Sequence, residues 1–434
     1  MTREAVAAAV DQVKARDRAL GADAEVAAQW LTAGEGTDML YQAAVQQFLW
    51  FTLPRKFPRT AWRSVVAGTA ALLEQLSLGR YAGIARSEVT CEVLDAWDHS
   101  DARGRRQALA AHVASGVNAP DTALVTWGSV MEIDEATAHE SVARALEAAI
   151  VAGELTPGAR GWKRAAERIC DQTLTHPLAD PGGQTLLTRL VTERVASWIT
   201  STHVSEHRRW RDQVSRHLLT PIPPPADMES IIAPMRWLLE CAAGGTALTQ
   251  SGYLARALVV DATERFSWWH WDKPPRSEVD VPQLFELRSV ATERHLIRRA
   301  GRRLITTTKG KRLLADSEQL WHELAGTLGG HEEYGQMVAE LVGLRLLAST
   351  ATRDDLTASV APILLGQGWR TDQGPITERN VDTAISTTLA WWRVLAMLAD
   401  TRILHPATLT ESGAATVLSY LRQRATGPRH GVFD

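Results

Sequence analysis

Between Arg294 and Arg312 the chain places eight cationic side chains, Arg294, Arg298, Arg299, Arg302, Arg303, Lys309, Lys311 and Arg312, and no carboxylate. Guanidinium and ammonium groups at that density bind phosphate, because each neutralises a backbone charge and releases the counterion condensed there. The chain as a whole is net −3. A nucleic-acid function must therefore rest on this one segment, since bulk charge argues against it. Arg288 lies just upstream and joins the candidate nucleic-acid-binding set. Glu286 and Glu293 flank it and repel base edges and phosphates alike, so the set is expected to hold backbone phosphates more than to read bases.

A second constellation is His203-Val204-Ser205-Glu206-His207. Two histidines one helical turn apart with a glutamate beside them have the spacing of inverted zinc peptidases, in which the imidazoles hold zinc and the carboxylate serves as base. Zinc hydrolysis through His203, Glu206 and His207 is the weaker reading. Arg208, Arg209 and Arg211 follow at once and oppose a dication, and a third ligand such as Glu278 or Glu286 would have to reach across a run of prolines. No metal or other cofactor is expected. There is no GxGxxG after a strand, no GxxxxGK[ST], no GxSxG and no HExxH, so the chain reads as a non-enzyme. Cys91, Cys170 and Cys241 lack CxxC spacing and read as core residues.

The elements that must carry these groups follow from periodicity. With 434 residues, 45% hydrophobic and 22% charged, the chain is globular and too long for a single core, which excludes disordered and fibrous classes. No long uncharged apolar stretch occurs, and charges run through the N-terminus, so a cytoplasmic protein with no membrane partner is expected. Arginine supplies most of the basic residues, as in high-G+C bacterial genomes. The fold class is mainly α. Apolar residues recur at helical spacing throughout 1–219, as in Leu40, Ala44, Val45, Phe48 and Leu49, a pattern expected to stop at Leu53-Pro54. One long helical run covers 184–218. Tryptophans such as Trp30, Trp50, Trp97, Trp198 and Trp321 fall about one per helix and read as core anchors.

Four prolines between Pro221 and Pro225 mark a linker at 220–229. Beyond it come a helix over 228–242, a second over 254–269 and a third capped by Asp280. A hairpin over 296–306 follows, turning at Ala300-Gly301, and then a helix opened by Thr307-x-x-Gly310. Helix, helix, helix, hairpin, helix is a winged helix-turn-helix order, assigned to 230–330. The remaining residues, 331–434, form a C-terminal helical domain whose ending resembles the first. A short strand near 402–409 leads into Thr410-x-x-Gly413, which suggests a second winged-helix-like unit. LTQSG at 248–252 is nearly LTESG at 409–413.

The LTQSGYL phrase, the HLIRRAGRRLITTTKGKRLLAD hairpin and SEQLWHELA together resemble a segment of uncharacterised actinobacterial proteins, covering about residues 236–330. The resemblance implies a winged-helix-like fold and no activity. The functional expectation is a non-enzymatic DNA-associated or regulatory protein that contacts double-stranded DNA phosphates through its basic hairpin. The alternative is a protein-interaction or self-association scaffold built on a winged helix that has lost DNA binding.

Overall fold

A computed structural model describes residues 2–32, 37, 40–179, 182–372, 374–400 and 405–430. The protein is mainly α-helical, as its periodicity predicts. It packs as two compact units, 1–190 with 428–434, and 191–427.

The first unit contains α1 (Arg3–Arg16), α2 (Arg18–Thr32), α3 (Gln42–Gln47), α4 (Leu53–Lys56), α5 (Trp62–Gln75), α6 (Gly79–Ala85), α7 (Glu88–His99), α8 (Asp101–Ala114), α9 (Ile133–Val151) and α10 (Trp162–Thr175). Its main core joins Val45, Leu49, Leu53, Leu72, Leu73 and Val93. The helix expected to end at Leu53-Pro54 continues instead. A π-helical turn, Phe48–Thr52, follows α3 and runs straight into α4, with Pro54 as its second residue; the wider turn lets the helix pass a residue that has no N–H to donate. Trp50 and Trp97 are core anchors as expected, whereas Trp30 is half exposed.

The division between units falls inside α11 (Leu186–Thr200), not at the proline run. The reason lies in α12 (Ser205–Leu218), which buries His207, Arg211, Val214 and Leu218 and packs against helices near the C-terminus of the second unit. Residues 221–225 are non-helical, and the Thr220 carbonyl accepts a hydrogen bond from Arg422 Nε (2.9 Å), so this segment is a strap within the unit. The single helix expected over 184–218 is broken at 201–204, which puts His203 before α12 and His207 within it.

The second unit then runs α13 (Met228–Ala243), β1 (Thr246–Ala247), α14 (Arg256–Phe266), α15 (Pro282–Glu293), β2 (Ile297–Ala300), β3 (Arg303–Thr306), α16 (Thr308–Leu314) and α17 (Ser317–Ala325). The hairpin forms within the expected 296–306, but its turn is Gly301-Arg302, one residue beyond the expected Ala300-Gly301, because Ala300 still pairs with Arg303. Its sheet has the order β1-β3-β2, antiparallel throughout, with Ile297 opposite Thr306 and Thr246 opposite Leu304. Asp280 is not the N-cap of α15, a place taken by Val281; it ends a 3-10 turn (Glu278–Asp280) whose N-cap is Ser277, and its carboxylate accepts from the Arg276 and Ser277 amides. LTQSG at 248–252 opens no helix; it is a tight turn in which Gly252 N donates to Thr249 O (3.0 Å).

The order then repeats as α18 (Glu333–Ala348), α19 (Arg353–Gly366), α20 (Glu378–Val394) and α21 (Glu411–Thr426), with a short hairpin, β4 (Arg370–Thr371) and β5 (Gly374–Pro375), between α19 and α20. The second connecting hairpin, expected near 402–409, falls partly outside the described residues. Its described ends carry the pairs Leu398–Leu409 and Ala351–Ala407. These reproduce the register of Ile297–Thr306 and Thr246–Leu304. The correspondence extends to single hydrogen bonds. After α15, His295 takes φ 56°; after α20, Ala396 takes φ 53°. Leu296 N donates to Ala291 O (2.8 Å) and Met397 N to Trp392 O (3.0 Å). Thr307 accepts from Gly310 N, and Thr410 from Gly413 N. A Cβ on Gly310 would strike the Leu296 carbonyl oxygen, and one on Gly413 the Met397 carbonyl oxygen. Each glycine is required by a backbone-to-backbone approach that no side chain fits.

Candidate nucleic-acid interface

The hairpin is built by a two-residue turn in which Gly301 has φ 61° and Arg302 does not have positive φ. Positive φ at the first central position alone is the type II′ pattern, whose twist matches the flanking strands. Leu304 and Ile297 turn inward, while Arg298, Arg299, Arg302 and Arg303 face solvent. The Thr306 hydroxyl donates to the Leu239 carbonyl (3.0 Å) and ties β3 to α13.

The nine candidate cations separate into two groups. Arg288 pairs with Glu278 (2.9 Å) and donates to the Gly252 carbonyl (2.9 Å). Lys309 pairs with Glu323 (2.7 Å), and Arg294 donates to the Gly326 carbonyl (2.6 Å). These three hold the unit together. Arg298, Arg302, Arg303, Lys311 and Arg312 are exposed and have no carboxylate partner among the described residues, and Arg299 spends only its Nε–H on the Gly301 carbonyl (2.8 Å).

Sequence reasoning named Glu278 only as a remote zinc ligand and missed it as the partner of Arg288. It is fully buried and also accepts from Leu254 N (2.8 Å). Burial raises its pKa, against the Leu254 amide and the Arg288 charge. No periodicity singles it out, because its partner is fixed by the fold. Glu286 is half buried, and burial, reinforced by Glu293, pushes its pKa up. The helix that carries it, α15, packs against α20 as well as α13. A helix engaged on two sides, whose one arginine is ion-paired, has little left with which to read a groove.

The histidine motif is taken apart by the fold. His203 Nε2 lies 2.9 Å from the Gly366 carbonyl, to which it donates, and Glu206 is half-buried, accepting from Arg209 and from Trp210 Nε1. His207 is fully buried. Its Nε2 contacts Glu340 (2.8 Å) and its Nδ1 contacts the Gln367 amide nitrogen (3.0 Å), so a neutral ring that donates through Nε2 and accepts at Nδ1 satisfies both neighbours. Burial keeps its pKa low in spite of Glu340. Arg211 Nε and Arg424 Nε reach the two oxygens of Glu340, each at 2.7 Å. Burial works against the Glu340 charge, but the His207 hydrogen bond and the two guanidiniums outweigh it and hold that carboxyl well below the usual range. Three segments, α12, α18 and α21, are thus joined on one carboxylate. Among the described residues no three histidine, cysteine or carboxylate side chains stand as a metal site.

Residues 229–319 match the family model of the Y4jL N-terminal domain. That match takes in α13 through the basic hairpin and α16, hence every candidate cation. No curated protein and no solved structure matched the chain. The second repeat, 333–426, lies outside the Y4jL-like segment. Its hairpin region, Leu398 to Leu409, carries one arginine in sequence. Asp400 and His405 sit 3.1 Å apart there. The excess of cations belongs to the Y4jL-like copy. Among the described residues no helix is long and apolar enough to cross a membrane.

Proposed function

We propose that residues 228–314 form a winged-helix-like unit whose hairpin binds nucleic-acid phosphates without reading sequence, in a non-enzymatic DNA-associated or regulatory protein of the cytoplasm. The observation that carries this reading is the division of the cations: those needed for folding are paired, whereas the hairpin keeps Arg298, Arg302 and Arg303 without carboxylate partners among the described residues. An exposed cluster of like charges costs self-repulsion and is best relieved by a polyanion. Four hairpin arginines on four phosphates give a slope of log affinity against log salt of about −4. Replacing Arg302 and Arg303 by alanine flattens that slope by about two and weakens all sequences alike. Wild-type protein that binds no nucleic acid at low salt refutes the reading.

A second reading, a protein-interaction scaffold, is favoured by the packing of α15 against α20. It replaces the phosphates with an acidic protein surface, and it gains if the hairpin variant loses a protein partner while nucleic acid never binds.

A further inference from the structure

We propose that the nucleic acid held by this surface is single-stranded, with unpaired bases stacked on Trp271 and Phe285 while the hairpin arginines hold its phosphates; this rests on the phosphate-binding reading above.

The connection between α14 and α15 holds three tryptophans in four residues. Two of them pin it. Trp268 lies against Phe266, ring centroids 4.9 Å apart, and Trp269 Nε1 donates to the Lys273 carbonyl (2.7 Å). The third, Trp271, is left 74% exposed, and Val279 and Phe285, around the start of α15, are 58% and 51% exposed. Single exposed apolar residues are ordinary, but a local group of them on one short stretch marks a contact surface.

A chain of interactions joins this stretch to the hairpin. Arg256 Nε donates to the Pro275 carbonyl (3.2 Å), and Glu278 accepts from Leu254 N. Arg288 joins Glu278 to the Gly252 carbonyl. The Arg299 guanidinium comes within 3.3 Å of the place that a Cβ on Gly252 would occupy. The Trp271 connection, the start of α15, the 252–256 segment and the hairpin are therefore neighbours in the fold, a strip of segments each touching the next.

Its exposed cations outnumber its exposed carboxylates. Arg256, Lys273 and Arg276 are exposed along it and continue the hairpin arginines. Of the strip's carboxylates, Glu278 is buried and paired with Arg288 and Glu286 is half buried; the exposed ones are Asp272, Asp280, which accepts from two backbone amides, and Glu293, which lies 2.9 Å from His331. Cations that track a backbone, interleaved with aromatic faces, suit single strands, whose bases present open π-faces. A duplex hides those faces in its stack and offers groove edges, which α15, packed on α20 with its arginine spent, is poorly placed to read.

The full chain is tested by fluorescence anisotropy at low salt against labelled oligothymidylate and a duplex of equal length. Tighter binding of the single strand is expected. Trp271→Ala should weaken it about fivefold or more, the loss of one stacked base, while Trp271→Phe should keep most of the affinity. The Arg302→Ala, Arg303→Ala variant should weaken both forms. Trp271 is exposed, so circular dichroism should show its variants folded. Equal or tighter duplex binding, or a single-strand affinity untouched by Trp271→Ala, overturns the single-strand proposal and leaves the phosphate reading standing. Failure of both forms to bind overturns both, and the strip then belongs to a protein partner.

Discussion

Replacing Glu340 by glutamine keeps the side chain's size and removes its charge, so the change isolates electrostatics from packing. Glu340 is fully buried, and Arg211 beside it is only 3% exposed. In the variant, two guanidiniums and the His207 ring face a neutral amide whose nitrogen can accept nothing. Breaking a buried ion pair from one side costs about 3–5 kcal/mol, because an uncompensated charge stays in a low-dielectric interior. For a unit of this size that corresponds to a fall in Tm of roughly 6–20 °C. Urea unfolding followed by far-ultraviolet circular dichroism measures the loss. Glu206→Gln is the control: Glu206 is the glutamate of the histidine motif, but it is only half-buried and pairs with the exposed Arg209, and should change stability by less than about 1 kcal/mol. Adding Arg211→Met to Glu340→Gln should recover part of the loss, since one orphaned charge is removed. A loss below about 1 kcal/mol for Glu340→Gln, or one no larger than that of Glu206→Gln, would refute the reasoning.

Acid should weaken the first unit through His112, which packs between Gln46, Trp50 and Phe51. Burial, helped by the nearby His139, pushes its pKa from 6.5 down to about 4. A folded pKa below the unfolded one means that its contribution is full above pH 6.5 and is lost as pH falls towards 4, amounting to about 3 kcal/mol. His112→Gln should flatten the dependence of the urea midpoint on pH across that window, and an unchanged slope would assign the acid sensitivity elsewhere. Gly310→Val and Gly413→Val should each cost about 2–3 kcal/mol, since a side chain would displace the facing carbonyl in either repeat. Tolerance of one substitution and not the other, measured by the same unfolding assay, would break the equivalence of the two repeats.

The local features of this protein were legible in its sequence because they are set by neighbours a few residues apart. Apolar spacing of three and four made the helices, Gly301 at a two-residue turn made the basic hairpin, and Thr307 and Thr410 three residues before a glycine marked two helix starts that the fold treats alike. The density of cations from 294 to 312 was equally plain. What distinguishes these cations from one another was not legible. Arg288 is spent on Glu278, ten residues away but brought to it by the turn before α15, and Lys309 on Glu323, whereas Arg302 and Arg303 remain available. The helical spacing of the histidine motif presumes an unbroken helix, and the break at 201–204 separates His203 from His207. The true partner of His207 is Glu340, 133 residues further on. Likewise, the sequence determined that tryptophans would be numerous, but only the tertiary structure decided that Trp321 is buried and Trp271 is not. Helices and turns answer to short-range sterics and hydrogen bonding. Charge pairing and exposure answer to which surfaces meet when the helices pack, and that is a property of the whole fold.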